Sequence, residues 1–161
     1  MKTFVDTNVL IYAYDRSAGE RHRSAALLLR TLWQRGGGVI STQVLHEFYV
    51  NVTRKIPRPL SPVVARGLID SYCVWQVQGA TCEGALLAAD VAERHRLSFW
   101  DAAIIVAAMQ GGAALLLSED LNPGQIIEGV RVVNPFDDHD PWLRRLLADG
   151  VAEAPALPYP V

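Results

Sequence analysis

Residues 3–8, Thr-Phe-Val-Asp-Thr-Asn, form a short β-prone run that breaks into polar residues just before a helical pattern. A second apolar run, Ala-Ala-Leu-Leu-Leu at residues 113–117, ends in Ser118, Glu119 and Asp120. Strands made of unbroken apolar residues are typical of parallel sheets covered on both faces. Ligands bind such sheets beyond the carboxyl ends of the strands. The two runs therefore predict a covered parallel sheet with Asp6 and Asp120 at its ligand-binding edge.

Helical and strand patterns alternate along the rest of the chain, which is typical of an α/β domain. Further strands are expected at residues 39–40, 73–77 and 131–133. Helices are expected at residues 21–34, after the capping pair Ser41-Thr42, after Ser61-Pro62, from Thr81 to near His95, and from Ser98 to Met109. After Asp137 we expect a short helix at residues 141–148 and a flexible Pro/Ala tail.

Size and composition limit the classes of protein that fit. The chain has 161 residues and 17.7 kDa, enough for one domain with an adequate core. No segment is long and apolar enough to span a membrane, and the N-terminus lacks a signal-peptide pattern, so a cytoplasmic location is expected. The net charge of −2 argues against a basic surface that binds nucleic acid everywhere. Positive charge is nevertheless clustered at residues 21–35, 54–58 and 94–96, where solvated helix surface is the simpler interpretation.

Cysteines and aromatic residues give no separate functional signal. Cys73 and Cys82 lack metal-ligand spacing and are expected to pack as reduced, small apolar side chains. Four aromatic residues are expected in the core rather than as platforms for nucleobases: Tyr12, Tyr14, Trp33 and Trp100.

The chain carries four candidate site acids, Asp6, Glu47, Asp101 and Asp120, whose negative charges would repel one another if the fold brings them together. Two unit negative charges about 4 Å apart repel by roughly 4 kcal/mol at an effective dielectric near 20. Protonation, a basic partner or a divalent cation must relieve that repulsion.

Each acid also has a purely structural explanation. Asp6 could cap the following helix, and Asp120 could form a turn. Asp101 fits a capping box that begins at Ser98, although a carboxylate beside such an apolar helix would be partly desolvated. Glu47 shares a polar stripe with Gln43, Asn51 and Arg54, which a solvated helix face explains.

Taken together, these segments make the chain resemble the PIN-domain family, and within it the VapC-type toxins of bacterial toxin–antitoxin pairs. The resemblance rests on Val5-Asp6-Thr7-Asn8, Glu47, Phe99-Trp100-Asp101-Ala102, residues 118–125 and residues 130–136, in matching order and spacing. It implies a PIN-like nuclease domain at residues 1–136. Residues 137–161 depart from the usual compact ending and are expected to form an extension rather than a second domain.

The resemblance implies a three-layer α/β/α sandwich with a central parallel sheet of about five strands. It implies a metal-dependent endoribonuclease in which Asp6, Glu47, Asp101 and Asp120 are catalytic. Of these, Asp6, Asp101 and Asp120 would hold the metal, and Asn8 and Ser118 would support them. It also implies a homodimer, a cognate antitoxin that blocks the acidic cleft, and structured RNA such as transfer RNA as the substrate.

The chemistry of the residues agrees with that implication. Hard oxygen ligands without a thiolate or a histidine cluster favour Mg²⁺, with Mn²⁺ as the alternative. Two rival hypotheses stay open: a non-catalytic module that binds RNA or a partner protein, and a metal-dependent phosphohydrolase of small phosphoesters. Haloacid-type phosphatases need a second aspartate where Asn8 stands, and a receiver domain needs a lysine near the last strand, where Arg131 is the cation.

Overall fold

The computed structural model describes residues 1–148 of the chain. The β-strands lie at Thr3–Val5 (β1), Gly38–Ser41 (β2), Gln76–Gln78 (β3), Leu115–Leu117 (β4), Ile126–Ile127 (β5) and Val130–Val133 (β6). The α-helices lie at Thr7–Tyr14 (α1), Glu20–Arg35 (α2), Thr42–Arg54 (α3), Pro62–Tyr72 (α4), Cys82–His95 (α5), Phe99–Gln110 (α6) and Pro141–Ala148 (α7). A short 3₁₀ turn at Arg16–Ala18 joins α1 to α2. No helix among residues 1–148 has the length and apolar character needed to cross a membrane.

The six strands found in residues 1–148 form one sheet in the order β3-β2-β1-β4-β6-β5. The first five strands in that order pair in parallel, and only β5 runs antiparallel to β6. The expected parallel sheet of about five strands is therefore confirmed, with a two-residue strand added at one edge. The order also places β1 at the centre, between β2 and β4.

Helices cover the sheet and close the core. Every residue of β1, β2 and β4 is buried, as expected for strands packed on both faces. Helix α6 packs on α5 and against four of the strands, whereas α1, α2, α3, α4 and α7 form a second connected group. The α/β/α architecture predicted from the sequence is thus the observed one.

Helix ends follow the capping residues of the sequence. Ser41, Ser61, Thr81 and Ser98 each accept a hydrogen bond from a backbone N–H in the first turn of the helix that follows. These caps explain why α3, α5 and α6 begin where the sequence predicted.

Gly38, at the start of β2, is required by close packing. A Cβ at this position would lie 2.4 Å from the indole ring of Trp75. Only glycine therefore lets β2 approach the residue that leads into β3.

Three expectations need correction. The strand predicted at residues 73–77 begins at Gln76, because the backbone N–H of Cys73 still bonds to Ile69 and Asp70 at the end of α4. Cys73 and Cys82 are both free and exposed, so neither packs in the core. Trp100 is also exposed, at 65% of its surface, and the expectation that it belongs to the core was wrong.

The C-terminal helix predicted at residues 141–148 is present as α7. Its Leu143 and Leu146 are buried, and the Arg35 guanidinium of α2 donates to the carbonyl of Leu146 at 2.7 Å. The Pro/Ala tail lies outside the described residues. The division into a nuclease domain at 1–136 and an extension at 137–161 stays a prediction.

Candidate active site

Asp6 lies at the carboxyl end of the central strand β1 and is the N-cap of α1. Its Oδ1 accepts from the backbone N–H of Thr7 at 2.7 Å, and its Oδ2 accepts from the hydroxyl of Ser118 at 2.7 Å. The parallel register pairs Val5 with Leu117, which places Asp6 beside Ser118 across the two strands. Asp6 therefore caps α1 with one carboxylate oxygen and contacts Ser118 of the site with the other, so its capping role is compatible with a catalytic one.

Asp120 is held beside Asp6 by two polar contacts. The amide of Asn8 donates to Asp120 Oδ2 at 2.7 Å, and the hydroxyl of Ser118 accepts from the backbone N–H of Asp120 at 3.3 Å. Ser118 is fully buried, whereas Asp120 is exposed. The predicted supporting residues Asn8 and Ser118 thus contact the predicted acids directly, and Asp120 remains exposed to solvent.

Glu47 reaches the same edge from α3, which begins directly after β2. Its Oε2 accepts from the hydroxyl of Thr7 at 2.6 Å, and its Oε1 accepts from the amide of Gln43 at 3.1 Å. Thr7 is buried, so its hydroxyl has little freedom to turn away from Glu47. Glu47 is consequently more than a residue of a solvated helix face.

The electrostatics of Asp6 show that the three acids interact. The pKa of the Asp6 carboxyl is raised from 3.8 to about 6, chiefly by burial and to a smaller extent by the charges of Asp120 and Glu47. The hydrogen bonds from Ser118 and Thr7 act in the opposite direction and lower this pKa. Asp6 is therefore a desolvated carboxylate with two acidic neighbours, which a positive charge would stabilise.

Asp101 is the predicted acid that the structure does not join to the others. It lies in the first turn of α6, where its carboxylate accepts from the Ser98 hydroxyl at 2.7 Å and its N–H donates to the same hydroxyl at 3.1 Å. Within residues 1–148 its polar contacts are those with Ser98. The structure thus brings Asp6, Glu47 and Asp120 together and leaves Asp101 in its capping role.

Two residues of the cluster were missed as functional candidates. Gln43 lies four residues before Glu47 on α3, a spacing that places both on one helix face and could have signalled the contact. Thr7 gave no comparable signal, because its bond to Glu47 depends on how α1 packs against α3.

A second network fixes the loop that carries Asp120. Glu119 accepts from the Tyr12 hydroxyl at 2.9 Å and forms an ion pair with Arg21 at 2.9 Å. The Arg21 guanidinium also lies over the rings of Tyr12 and Phe136, at 5.2 and 5.4 Å from their centroids. Arg21 is therefore already engaged by an acid and two rings at the edge of the site.

An open pocket of about 430 Å³ adjoins the cluster. It lies between α3, the loop after β3, and helices α5 and α6, and Glu47 is one of its lining residues. The acid cluster thus has an adjacent cavity that shares one of its carboxylates.

Residues 3–126 match the family model described as PIN domain. The chain belongs to the PIN-domain family. The matched region contains all four predicted acids, Asp6, Glu47, Asp101 and Asp120, and it ends before β6. Membership separates the chain from the haloacid-type phosphatases and the receiver domains, which Asn8 and Arg131 already argued against.

Solved structures share this PIN-domain fold. One is the Mycobacterium tuberculosis toxin VapC20, described as cleaving the sarcin–ricin loop, with 22% identity and a TM-score of 0.55 over 71% of this chain and 87% of that one. Another is VapBC2 from Rickettsia felis, bound to a DNA fragment from its promoter, with 16% identity and a TM-score of 0.53 over 83% of this chain and 98% of that one. No match was found among curated proteins. At these identities the likeness to the two structures shows the fold.

PIN-domain nucleases generally use divalent metals, and the donors of this site can be compared with that requirement. Asp6, Glu47 and Asp120 offer carboxylate oxygens, the ligands that Mg²⁺ and Mn²⁺ prefer. Their mutual repulsion at Asp6 is the kind that a cation relieves. Within residues 1–148, however, no group of three or more His, Cys, Asp or Glu residues is gathered closely enough to hold a metal ion. The chemistry of the donors fits a divalent cation, while a complete ligand set is not assembled.

Proposed function

We propose that this chain is a metal-dependent endoribonuclease that hydrolyses RNA phosphodiester bonds and acts as the toxin of a toxin–antitoxin pair. The observation that carries the proposal is the desolvated carboxylate of Asp6, which interacts with two further acids, Glu47 and Asp120. Its partners in the described part of the chain include no basic side chain. Such a site favours binding of a cation. A bound cation would attract the negatively charged backbone of RNA and promote hydrolysis of a phosphodiester bond.

Each residue of the site has a stated role in this proposal. Asp6, Asp101 and Asp120 would hold Mg²⁺ or Mn²⁺; the part of Asp101 rests on the resemblance to PIN-domain toxins. A bound divalent cation supplies neutralisation of phosphate charge and a more acidic water. Ser118 and Thr7 orient Asp6, and Asn8 orients Asp120.

Glu47 would accept the proton of the attacking water. The Thr7 hydroxyl and the Gln43 amide fix both of its oxygens, and its exposed position leaves it within reach of solvent and substrate. Removing Glu47 should therefore lower the rate of the chemical step more than the affinity for RNA.

The proposed substrate is structured RNA, such as transfer RNA or a ribosomal RNA loop. The fold shared with VapC20, a toxin described as cleaving the sarcin–ricin loop, supports an RNA target. The fold shared with VapBC2, a complex, supports a cognate antitoxin that covers the acidic cleft. A homodimer and a cytoplasmic location complete the proposal.

The test compares wild type with Asp6→Asn on total RNA, with Mg²⁺ and with a chelator. Asp90→Asn is the matched control, because Asp90 is an exposed acid on α5 outside the cluster. Wild type and Asp90→Asn should cut RNA at the same positions only with the metal, and Asp6→Asn should not cut. Sequencing RNA ends in cells shortly after induction would identify the target. Equal cleavage by Asp6→Asn and wild type would remove Asp6 from the mechanism and sink the proposal.

One observation favours a second candidate, a non-catalytic module that binds RNA or a partner protein. Among the described residues, no three acidic, histidine or cysteine side chains are grouped closely enough to hold a metal ion. A module that only binds RNA or a protein would need no such group. Such a module would bind RNA equally well with Mg²⁺ and with chelator and would leave the RNA intact. The remaining alternative, a phosphohydrolase of small phosphoesters, predicts hydrolysis of a nitrophenyl phosphate under the same conditions.

A further inference from the structure

The pocket beside the acid cluster is walled on one side by two exposed aromatic residues. Phe99 and Trp100, in the first turn of α6, expose 42% and 65% of their surfaces. Their rings meet edge to face, with centroids 5.6 Å apart. Phe99 therefore supports the Trp100 indole at the rim of the pocket without covering it.

The polar groups of the pocket include two amides that have nothing to bind. Gln78, in the edge strand β3, and Gln110, at the end of α6, line the cavity, and neither side chain has a hydrogen-bond partner among residues 1–148. Each amide offers donors and an acceptor. Two uncommitted amides beside an exposed ring form a surface that can both stack with a planar ligand and read its edge.

The pocket carries fewer charged side chains than the acid cluster beside it. Among the described residues that line it, Glu47 is the only acid, and none is lysine or arginine. A cavity without a fixed positive charge is unsuited to a phosphate group and suited to a neutral heterocycle. Glu47, which the Thr7 hydroxyl ties to the Asp6 side of the site, lies between the two regions.

We propose that this pocket binds an unpaired nucleobase of the RNA, stacked on Trp100 and read at its edge by Gln78 and Gln110. The inference rests on the proposed function, because it places the base next to the phosphate that the acid cluster would cleave. Sequence-specific recognition of RNA commonly uses unstacked bases held on aromatic side chains with hydrogen bonds to their edges. Trp100 and the two glutamines would then set which nucleotide lies beside the cleaved bond.

The dimensions of the cavity favour a base over a protein segment. About 430 Å³ lies within the range of pockets for small ligands, roughly 300–1,000 Å³. A stable interface between proteins buries about 1,200–2,000 Å², so a partner protein would cover the surface around the pocket as well as the pocket itself. Leu86, on α5, is also exposed but does not line the pocket. Substitution of Leu86 should therefore affect a partner that covers the whole face but not a base bound in the pocket.

The experiment uses the full chain carrying Asp6→Asn, so that RNA is bound without being cut. Short single-stranded RNAs with 2-aminopurine at successive positions report stacking by loss of fluorescence. Trp100→Leu should abolish the signal and weaken binding about 5- to 150-fold, the range for loss of one stacked base. Trp100→Phe should retain the signal in part, and Leu86→Ala should bind like the parent. Gln78→Ala and Gln110→Ala should keep stacking but reduce the preference among the four bases.

The outcomes separate this inference from the proposed function. Trp100-dependent stacking in a wild-type protein that never cuts RNA would support the pocket and refute the nuclease. RNA cutting by wild type with unchanged stacking and affinity in Trp100→Leu would refute the pocket alone. Two other results would also overturn it: dissociation of a dimer by both Trp100→Leu and Leu86→Ala, or loss of antitoxin binding with RNA affinity intact.

Discussion

The hydroxyl of Ser118 donates to Asp6 Oδ2 at 2.7 Å and at the same time accepts from the backbone N–H of Asp120. One fully buried side chain therefore sets both the orientation of a carboxylate at the end of β1 and the path of the loop after β4. The contact exists because β1 and β4 are parallel neighbours in register, so the residues that follow them meet.

Ser118→Ala should lower the free energy of unfolding by about 1.5–3 kcal/mol at pH 8, the usual cost of losing a hydrogen bond to a charged group. It should also raise the pKa of Asp6 above that of wild type, because the lost bond lowers this pKa. Urea denaturation from pH 4 to pH 8 measures both effects. Ser71→Ala is the control, since that hydroxyl bonds only to a carbonyl of its own helix. Equal losses in the two variants at every pH would contradict a special role for Ser118.

Asp6→Asn should stabilise the metal-free protein, and the gain should depend on pH. Folding raises the pKa of Asp6 from 3.8 to about 6. The folded state therefore favours the protonated acid. The contribution of Asp6 to the free energy of unfolding is greatest below pH 4 and is lost as the pH rises through 6. At about 1.36 kcal/mol per pKa unit, the variant should gain up to about 3 kcal/mol above pH 7 and almost nothing below pH 4. Thermal unfolding in a chelating buffer measures the difference; a gain that is constant with pH would contradict the assigned cause.

Mg²⁺ should reverse that order of stability. A ligand that binds only the folded state stabilises it by about 2.7 kcal/mol at 100 times its dissociation constant. Wild type should gain on this scale as Mg²⁺ is titrated, while Asp6→Asn should gain little and Asp90→Asn should follow wild type. Calorimetric or fluorescence melting curves with Mg²⁺, Mn²⁺ and Ca²⁺ would test the metal without using activity. Identical shifts in wild type and Asp6→Asn would place the bound ion elsewhere.

Thr7→Val should reduce RNA cleavage about tenfold or more through Glu47, with the fold retained. Valine has nearly the shape of threonine but cannot donate to Glu47 Oε2, so the carboxylate loses one of its two side-chain donors. Thr31→Val is the matched control, because Thr31 is also buried and its hydroxyl bonds to the carbonyl of Leu27 in its own helix. Single-turnover cleavage should show a slower chemical step with similar RNA affinity in Thr7→Val; equal rates in the two variants would argue against Thr7 as a positioning residue.

Arg54→Gln should weaken RNA binding and reduce its dependence on salt. Arg54 lies seven residues after Glu47 on α3, about two helical turns along the same face, and is exposed without a side-chain partner in residues 1–148. Each phosphate contact contributes about 0.7 to the slope of log affinity against log salt for single strands. Arg94→Gln is the control, because Arg94 is already paired with Glu128. Equal salt slopes in wild type and Arg54→Gln would exclude Arg54 from the RNA path.

Regular elements with strong local signals could be predicted from the sequence. The apolar run before Ser118 gave β4, and the capping residues Ser41, Thr81 and Ser98 gave the starts of three helices. Strand β5 was not predicted, because two residues after a glycine turn carry no periodicity. The strand at Gln76 was placed three residues early, since the end of α4 depends on backbone hydrogen bonds that composition does not reveal.

Trp100 shows where composition misleads. A tryptophan in an apolar helix usually packs inside a protein, but in the first turn of α6 this ring is exposed and lines a cavity. Its position follows from the packing of α6 against α5 and the strands, which residue type alone does not determine.

The sequence by itself determined the parallel α/β architecture, the ends of most helices, and the strand ends where Asp6 and Asp120 lie. These features depend on neighbours in the chain: apolar runs, caps and turns. Only the tertiary structure decided that Glu47 meets Thr7, that Asn8 contacts Asp120, and that Ser118 links Asp6 to Asp120. Those contacts join residues up to 112 positions apart, so they depend on strand register and helix packing rather than on any local pattern.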